Sequence, residues 1–202
     1  MNLLQNMIPN QVFEEHAAAT AKYKAETRHI AIGLFNEAKH KLLDINNWEK
    51  LCGGVAAEFR LTDEKGELLN TYPAIGNLIR IKLPLPANKY QSEFDWVRIE
   101  KFESSKDLLK DEEVFGFHVT PVENPFTKLS KKLTSSEITT TFIIMRKSDS
   151  IIAMECERTN KTVSFLNKMR KLIIASLTMI GFSEPQWKKL VSGIVKPNFN
   201  YA

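Results

Sequence analysis

A block of apolar residues near the C-terminus constrains the fold of this chain more than any other stretch. In the segment 164–182, SFLNKMRKLIIASLTMIGF, apolar side chains recur at three- and four-residue steps, which places them on one face of an α-helix. This face is wider than a surface helix needs, so the pattern predicts burial against more than one neighbour. Its mainly apolar part, Leu172–Phe182, is also much shorter than the roughly 20 apolar residues that cross a bilayer. We therefore expect a long helix that covers another layer of the protein.

A second, shorter helix follows this block. Gly181 has the character of a helix C′ residue, and Ser183 with Gln186 forms a capping-box pattern. Apolar positions then continue along one side until Pro197 ends the helix. The sequence thus predicts two helices joined by a tight corner.

Residues 55–158 change to a period of two, which is typical of half-buried strands. Ser148-Asp149 separates two such runs and predicts a hairpin in which Lys147 faces Ser150. Both faces of this hairpin are apolar, which predicts that it is covered on two sides or lies centrally in the sheet. The segments 103–113 and 123–137 read as polar loops. Six runs show the alternation: VAAEFRLTD, NLIRIKLPL, FDWVRIEKFE, VFGFHVTPV, TTTFIIMRK and SIIAMECER.

The segment 10–47 reads as helical, because its first half is rich in alanine and later apolar residues recur on one helical face. We expect an N-terminal helical arm over 1–26 and a single α+β domain over 27–202. In that domain an antiparallel meander of about six strands packs on the long C-terminal helix, since the strands are grouped rather than alternating with helices.

This layout resembles the helix-grip fold of the START-like superfamily. The resemblance spans roughly 28–196 and rests on the helical segment DINNWEKL, the meander and the helix predicted over 165–180. It implies an apolar cavity between sheet and helix, and many members bind lipids, sterols or polyketide-like molecules, while some are cyclases or hydrolases. The strand that usually precedes the small helices is missing, unless RHIAIGLF (28–35) forms it. The segments GNLIRIKLP, DWVRIE and GFSEPQWKKLV are similar to an uncharacterised bacterial family, which implies no activity.

Charge and cysteine content limit the partners and the compartment. The net charge is +4, and residues 161–202 carry seven Lys or Arg against one acid. Such a tail could contact phosphates or anionic lipid, but lysines on the outer faces of two helices explain it as well. Aromatic residues occupy core-like positions, which argues against a nucleic-acid partner. Two distant cysteines, no signal peptide and no membrane span predict a cytoplasmic protein.

No catalytic or metal-binding pattern stands out, so we expect no cofactor and favour a binding protein over an enzyme. His118 falls opposite the apolar face of its strand. On the strand before it a mixed aromatic and charged face is formed by Trp96, Arg98, Glu100 and Phe102. If these faces line a cavity, the polar groups could anchor the head of a ligand, with Glu155 beside them. The alternative is a solvent-facing side with cross-strand ion pairs.

Two functions follow from these patterns. The first is a small apolar or amphipathic ligand held between the sheet and the C-terminal helix, with Ile173 and Leu177 lining its site. The second is a structural or interaction protein that forms a homo-oligomer, or docks a partner, through its N-terminal helix.

Overall fold

The computed structural model describes residues 17–53, 57–82, 94–126, 138–159 and 184–198. Within them, seven antiparallel strands form one sheet in the order β1-β7-β6-β5-β4-β3-β2. This is the predicted α+β arrangement. The strands are β1 (Ala17–Lys24), β2 (Glu58–Thr62), β3 (Leu78–Lys82), β4 (Asp95–Asp107), β5 (Glu112–Val122), β6 (Ile138–Lys147) and β7 (Ser150–Thr159). The helices are α1 (Arg28–Leu43), α2 (Trp48–Leu51) and α3 (Glu184–Val195), with a 3-10 turn at Ile45–Asn47.

The β6–β7 hairpin forms as its sequence predicts. Lys147 faces Ser150 across a two-residue turn, and Ser148 adopts a positive φ of 53° there. Its two faces enter two different apolar clusters. One face packs in the main core with the helices, and we call that side of the sheet the inner face. The opposite, outer face carries a smaller buried cluster formed by Val114, Ile143, Met154 and Cys156.

The helical prediction is wrong for residues 17–24, which form the edge strand β1. They pair with β7 from Ala17 opposite Cys156 to Lys24 opposite Ser150. Alanine favours a helix by only a fraction of a kcal/mol per residue, so a ladder of long-range hydrogen bonds outweighs it. The described part of the predicted arm therefore belongs to the sheet, while residues 1–16 lie outside the described residues.

Strand β1 also supplies the element that the helix-grip resemblance lacked. A strand precedes the small helices, a meander follows them, and a helix comes after β7. The segment 28–35 is the start of α1, whose N-cap Thr27 accepts a hydrogen bond from the Ile30 N–H. Helix α1 buries one face on β6 and β7, and its buried residues are Ala31, Leu34, Phe35, Ala38 and Leu42.

The predicted loop 103–113 is mostly strand. Strand β4 continues to Asp107, and β5 begins at Glu112 directly opposite it. The polar composition that suggested a loop reflects the exposure of this end of the sheet, because Ser104 and Lys106 are exposed although their backbones stay in the ladder.

Helix α3 packs against β1, β7, α1 and α2. Leu190, Val191 and Ile194 are buried, as the sequence predicts. Gly193 allows the close approach to α2, because a Cβ there would stand 2.5 Å from the Leu51 carbonyl oxygen. The helix predicted over 165–180 lies outside the described residues.

A buried arginine joins two turns of the sheet to the start of α1. The side chain of Arg146 is 2% exposed, and its guanidinium lies 2.8 Å from Asp111 Oδ1 and 2.9 Å from Glu113 Oε1. It also donates to the Ser148 carbonyl, and Arg28 at the start of α1 binds the same Asp111 through two hydrogen bonds. These contacts fix the position of α1 relative to the sheet.

We predict that Gly193→Ala destabilises the protein, because the new methyl group overlaps the Leu51 backbone. Overpacking of this kind costs roughly 1–3 kcal/mol. The matched control is Gly33→Ala in α1, where a Cβ meets nothing within 4 Å. That change should raise the free energy of unfolding by about 0.5–1 kcal/mol. Urea denaturation followed by circular dichroism measures both, and effects of the same sign would contradict the packing of α3 on α2.

We also predict that Arg146→Met lowers the free energy of unfolding by roughly 2–3 kcal/mol at neutral pH, because it removes the guanidinium shared by two shielded carboxylates and leaves Asp111 with Arg28 and Glu113 with Lys106 as their remaining cations. Hydrogen bonds from Arg28 and Arg146 hold the pKa of Asp111 below its ordinary 3.8. The pKa of Glu113 also lies below its ordinary 4.5, because hydrogen bonds from Arg146 and Lys106 outweigh the larger single effect of burial, which raises it.

Stability that comes from a lowered carboxyl pKa is complete above the ordinary value and is lost as the pH falls through the lowered one. The difference between wild type and Arg146→Met should therefore shrink below pH 3.8. Urea denaturation at neutral and acidic pH measures this, with the exposed Lys24→Met as a control. A deficit that stays constant with pH would contradict the ion network.

Candidate functional site

The predicted polar site residues lie on the outer face of the sheet, away from the helices. Arg98 Nε donates to Glu100 Oε1 at 2.9 Å, and the Thr120 hydroxyl donates to the same oxygen at 2.6 Å. These two hydrogen bonds outweigh burial, the largest single influence, and lower the pKa of Glu100. The group lies on a solvent-facing side, as in the alternative that the sequence left open, but its ion pair joins two residues of β4 and only the Thr120 hydrogen bond crosses between strands.

Trp96 lies on the same face and is buried. Its ring meets Phe126 edge to face, with centroids 5.8 Å apart. Its indole Nε1 has no hydrogen-bond acceptor among the residues that the structure describes. Phe126 also covers Gly66, whose φ of +89° closes the turn after β2. Trp96 therefore anchors this turn region to the outer face.

His118 forms a separate cluster with Thr141 and Glu103. Its Nδ1 lies 2.9 Å from the Thr141 hydroxyl, and its Nε2 lies 3.7 Å from a Glu103 carboxylate oxygen. Lys101 pairs with the other oxygen of Glu103. Burial lowers the pKa of His118, and Glu103 offsets part of that effect. The ring is therefore neutral at pH 7.

The order hydroxyl, imidazole, carboxylate is that of a nucleophilic triad, but the surroundings do not complete one. Thr141 is 6% exposed and lies within a strand that is paired on both sides. The neighbouring backbone N–H groups of such a strand belong to the ladders, whereas a tetrahedral intermediate needs free donors near the nucleophile. The cluster is better described as a polar network that crosses β4, β5 and β6.

A β-bulge in β4 explains why the predicted mixed face divides. Ile99 faces Val119 and Lys101 faces His118, so Glu100 is an extra residue in the ladder. Before the bulge Val97 and Ile99 point inward, and after it Phe102 does. The prediction assumed strict alternation and placed Phe102 beside Trp96 and Arg98. The signal was present in the sequence, because the apolar spacing changes from two residues to three at this point.

The inner face of β4 and β5 is the apolar surface that remains partly open. Phe102 and Val97 are half-buried, whereas Phe117 and Ile99 on the same face are fully buried. The Phe102 ring lies 5.5 Å from that of Phe117 and 6.3 Å from that of Phe115, measured between centroids. The described helices and the 3-10 turn pack mainly on β1, β2, β6 and β7. Phe102 thus reaches solvent at the end of an aromatic row.

A cation stands at the edge of this surface. The Lys39 ammonium, from α1, lies 4.5 Å above the centre of the Phe115 ring. Next to it Ser104, opposite Phe115 in the ladder, is exposed. An apolar surface with one ammonium group at its edge suits an amphipathic molecule.

Farther along the sheet the inner face is closed by packed aromatic rings. Trp48 of α2 lies 5.1 Å from Phe142, 5.3 Å from Phe59 and 6.3 Å from Phe117, measured between ring centroids. Its indole N–H donates to the carbonyls of Lys41 and Leu42 at the end of α1. Trp187 of α3 extends the cluster to Phe142 and Phe59. Side chains, rather than a ligand, fill this half of the inner face.

The remaining predicted site residues are divided among different places. Glu155 is buried on the inner face, opposite Phe142, so it does not join His118 on the outer face. Asp95, at the start of β4, also lies on the inner face, where burial raises its pKa. Ile173 and Leu177 lie outside the described residues.

A polar groove of about 500 Å³ lies at the C-terminal end of α1. Within it His40 Nδ1 is 3.1 Å from the Tyr72 hydroxyl, and Lys41 pairs with Glu37 at 2.7 Å. Lys41 also donates to the Lys196 carbonyl, and Glu37 accepts from the Asn198 N–H at 2.8 Å. These contacts attach the chain after α3 to α1. The charged groups of the groove therefore have a structural role that explains their presence without a ligand.

Metal and thiol chemistry find no support in the described residues. No group of three or more His, Cys, Asp or Glu side chains in them could hold a metal ion. Cys52 and Cys156 are free, and burial raises the pKa of each to about 11. Both thiols are therefore protonated at neutral pH and react slowly. No helix in the same part of the chain is long and apolar enough to cross a membrane.

We predict that His118 titrates below its ordinary pKa of 6.5 and that Glu103→Gln lowers this pKa further, because the carboxylate favours the charged ring. Glu67→Gln, which changes an exposed carboxylate between β2 and β3, is the matched control. NMR titration of the imidazole protons, assigned with a His118→Gln spectrum, measures both. A pKa that is unchanged in Glu103→Gln would refute the contact.

Comparison with known proteins gives structural likenesses only. No family model matches the chain, and no curated protein matches it. Among solved structures, Ara h 8.0201 matches with a TM-score of 0.37 and 7% identity, over 87% of this chain and 95% of the other. The protein TTHA0849 from Thermus thermophilus matches with a TM-score of 0.37 and 11% identity, over 88% and 96%. The ginseng major latex-like protein 151 from Panax ginseng matches with a TM-score of 0.32 and 9% identity, over 80% and 93%. Likenesses at these TM-scores carry no argument about function.

Proposed function

We propose that this protein binds a small amphipathic molecule on the inner face of its sheet, beneath the C-terminal helix that the sequence predicts. The observation that carries the proposal is the half-buried Phe102, which keeps apolar surface in contact with water, whereas Ile99 and Phe117 on the same face are fully buried. Exposed apolar surface of this kind is stabilised when a ligand covers it.

The shape of the surface supports an elongated apolar group. Phe102 and Phe115 lie next to each other on β4 and β5, and Val97 continues the open edge along β4. The row ends at the packed rings of Phe117 and Trp48, which limits how deeply a ligand enters. The site is therefore a shallow apolar channel along β4 that opens toward the β4–β5 turn.

The Lys39 ammonium supports an anionic head group. It lies over an aromatic ring, and no carboxylate among the described residues pairs with it, so a ligand carboxylate or phosphate could approach it without displacing an ion pair from them. This choice of head group makes the proposal more specific than a general apolar ligand.

We further propose a cytoplasmic location. Both cysteines are free and buried, which agrees with a reducing compartment.

The test is binding of the fluorescent fatty acid cis-parinaric acid, together with native mass spectrometry of freshly purified protein. Wild type should bind the probe, and Phe102→Asp should weaken binding by at least about tenfold, because it puts a charge on the apolar surface. Lys39→Gln should weaken binding of the fatty acid by several-fold and leave binding of the corresponding fatty alcohol unchanged.

Two control variants keep this test specific. Thr20→Asp places the same charge at an exposed site on β1, and Lys22→Gln removes an exposed lysine from that strand. Both should bind like wild type. Wild-type protein that binds neither probe and carries no co-purified molecule would refute the proposal.

A further inference from the structure

The β4–β5 turn presents two leucines to solvent. Leu109 is 100% exposed and Leu108 is 77% exposed. They occupy adjacent positions in a four-residue connection between Asp107 and Glu112, which face each other at the end of the ladder. Two large apolar side chains at the end of a hairpin find no apolar contact within the described chain that would account for their presence.

Hydrogen bonds at both ends of the turn fix its backbone, so the positions of the two leucines are defined. The Asp107 carboxylate accepts hydrogen bonds from the N–H groups of Leu109 and Lys110, at 3.0 and 3.1 Å. On the other side Asp111, with a φ of 52°, is bound by Arg28 and Arg146. Its carbonyl also accepts the Ser148 N–H at 3.0 Å. Both ends of the turn are thus fixed to the sheet and to α1.

The cations around the turn are more exposed to solvent than the carboxylates with which they pair. The cations extend outward, and the carboxylates that pair with them are set back. The side chains of the cations are 45–73% exposed, namely Lys24, Arg28, Lys106, Lys110 and Lys147. The side chains of their partners are 6–38% exposed, namely Asp149, Asp111, Glu113, Asp107 and Glu112.

We propose that this end of the molecule docks on a phospholipid surface. Leu108 and Leu109 insert among the upper acyl chains, and the surrounding ammonium and guanidinium groups contact the phosphates. Apolar side chains surrounded by outward cations match the order of layers in a bilayer, where hydrocarbon lies beneath phosphate. A protein partner fits less well, because a narrow turn offers little of the roughly 1,600 Å² that a standard interface buries.

The balance of charges around the turn predicts how membrane binding depends on salt. Residues 24–28, 106–113 and 146–149 together contain six basic and six acidic side chains. Long-range attraction to anionic lipid is therefore small, and the leucines supply most of the affinity. Binding should be weak and reversible, as for other single apolar anchors. It should also persist at high salt, because burial of apolar surface is not screened by ions.

This inference does not depend on the proposed ligand, since vesicle contact is measured without one. If both hold, the open end of the apolar channel at Phe102 lies six residues along β4 from Leu108, about 20 Å at 3.3 Å per residue.

The test is flotation of the full-length protein with vesicles of phosphatidylcholine, and with an equimolar mixture of phosphatidylcholine and phosphatidylglycerol. Wild type should float with both kinds of vesicle at low and high salt. The double variant Leu108→Ser, Leu109→Ser should bind at least about tenfold less, because it removes both apolar groups. Leu68→Ser, at a position that is 60% exposed between β2 and β3, is the matched control and should bind like wild type.

Four outcomes would overturn the proposal. Wild type that does not float would refute it directly, as would a double serine variant that floats equally well. Binding that disappears in high salt would assign vesicle contact to basic residues elsewhere, such as those of 161–202. If wild type instead forms dimers that the double serine variant lacks, in analytical ultracentrifugation, the leucines are a contact between copies of this chain.

Discussion

The guanidinium of Arg146 is the contact on which the arrangement of the other elements depends. It reaches the turn before β5 through Asp111 and the turn before β7 through the Ser148 carbonyl. Arg28 binds the same Asp111, so the first residue of α1 is fixed to both turns. A guanidinium can do this because it offers several donors in one plane, and burial without such partners would be costly. The position of α1 then decides which part of the inner face is covered.

The bulge at Glu100 has a comparable effect on the chemistry of the sheet. Without the bulge, Phe102 would lie on the outer face, and Lys101 and Glu103 would point into the core. With it, Phe102 joins Phe115 and Phe117 on the inner face, and Lys101 and Glu103 join His118 on the outer face. One extra residue thus separates an aromatic surface from a polar network. It is also the reason that the inward apolar row of Val97 and Ile99 continues to Phe102, toward the β4–β5 turn.

The two proposals concern the same end of the molecule but rest on different forces. The channel at Phe102 depends on apolar surface left open beside α1, and on one ammonium group above Phe115. The turn at Leu108 and Leu109 depends on apolar groups that nothing in the described chain covers, and on cations that extend past their partners. Taken together, the two proposals put the binding of an amphipathic molecule next to a contact with lipid.

The sequence by itself determined the elements whose pattern depends on local periodicity. The existence of the six strands from β2 to β7, the register of the β6–β7 hairpin and the burial of Leu190, Val191 and Ile194 in α3 could be predicted, because burial of one face imposes a period of two or 3.6 on the chain. The predicted helix over 165–180 stays a prediction. The tertiary structure alone decided that residues 17–24 form a strand, because their partner β7 is more than a hundred residues away. The tertiary structure alone also decided the site. The bulge shifts the residues after it to the opposite face of the sheet, and the position of α1 decides how much of Phe102 is covered. No local sequence pattern records that position.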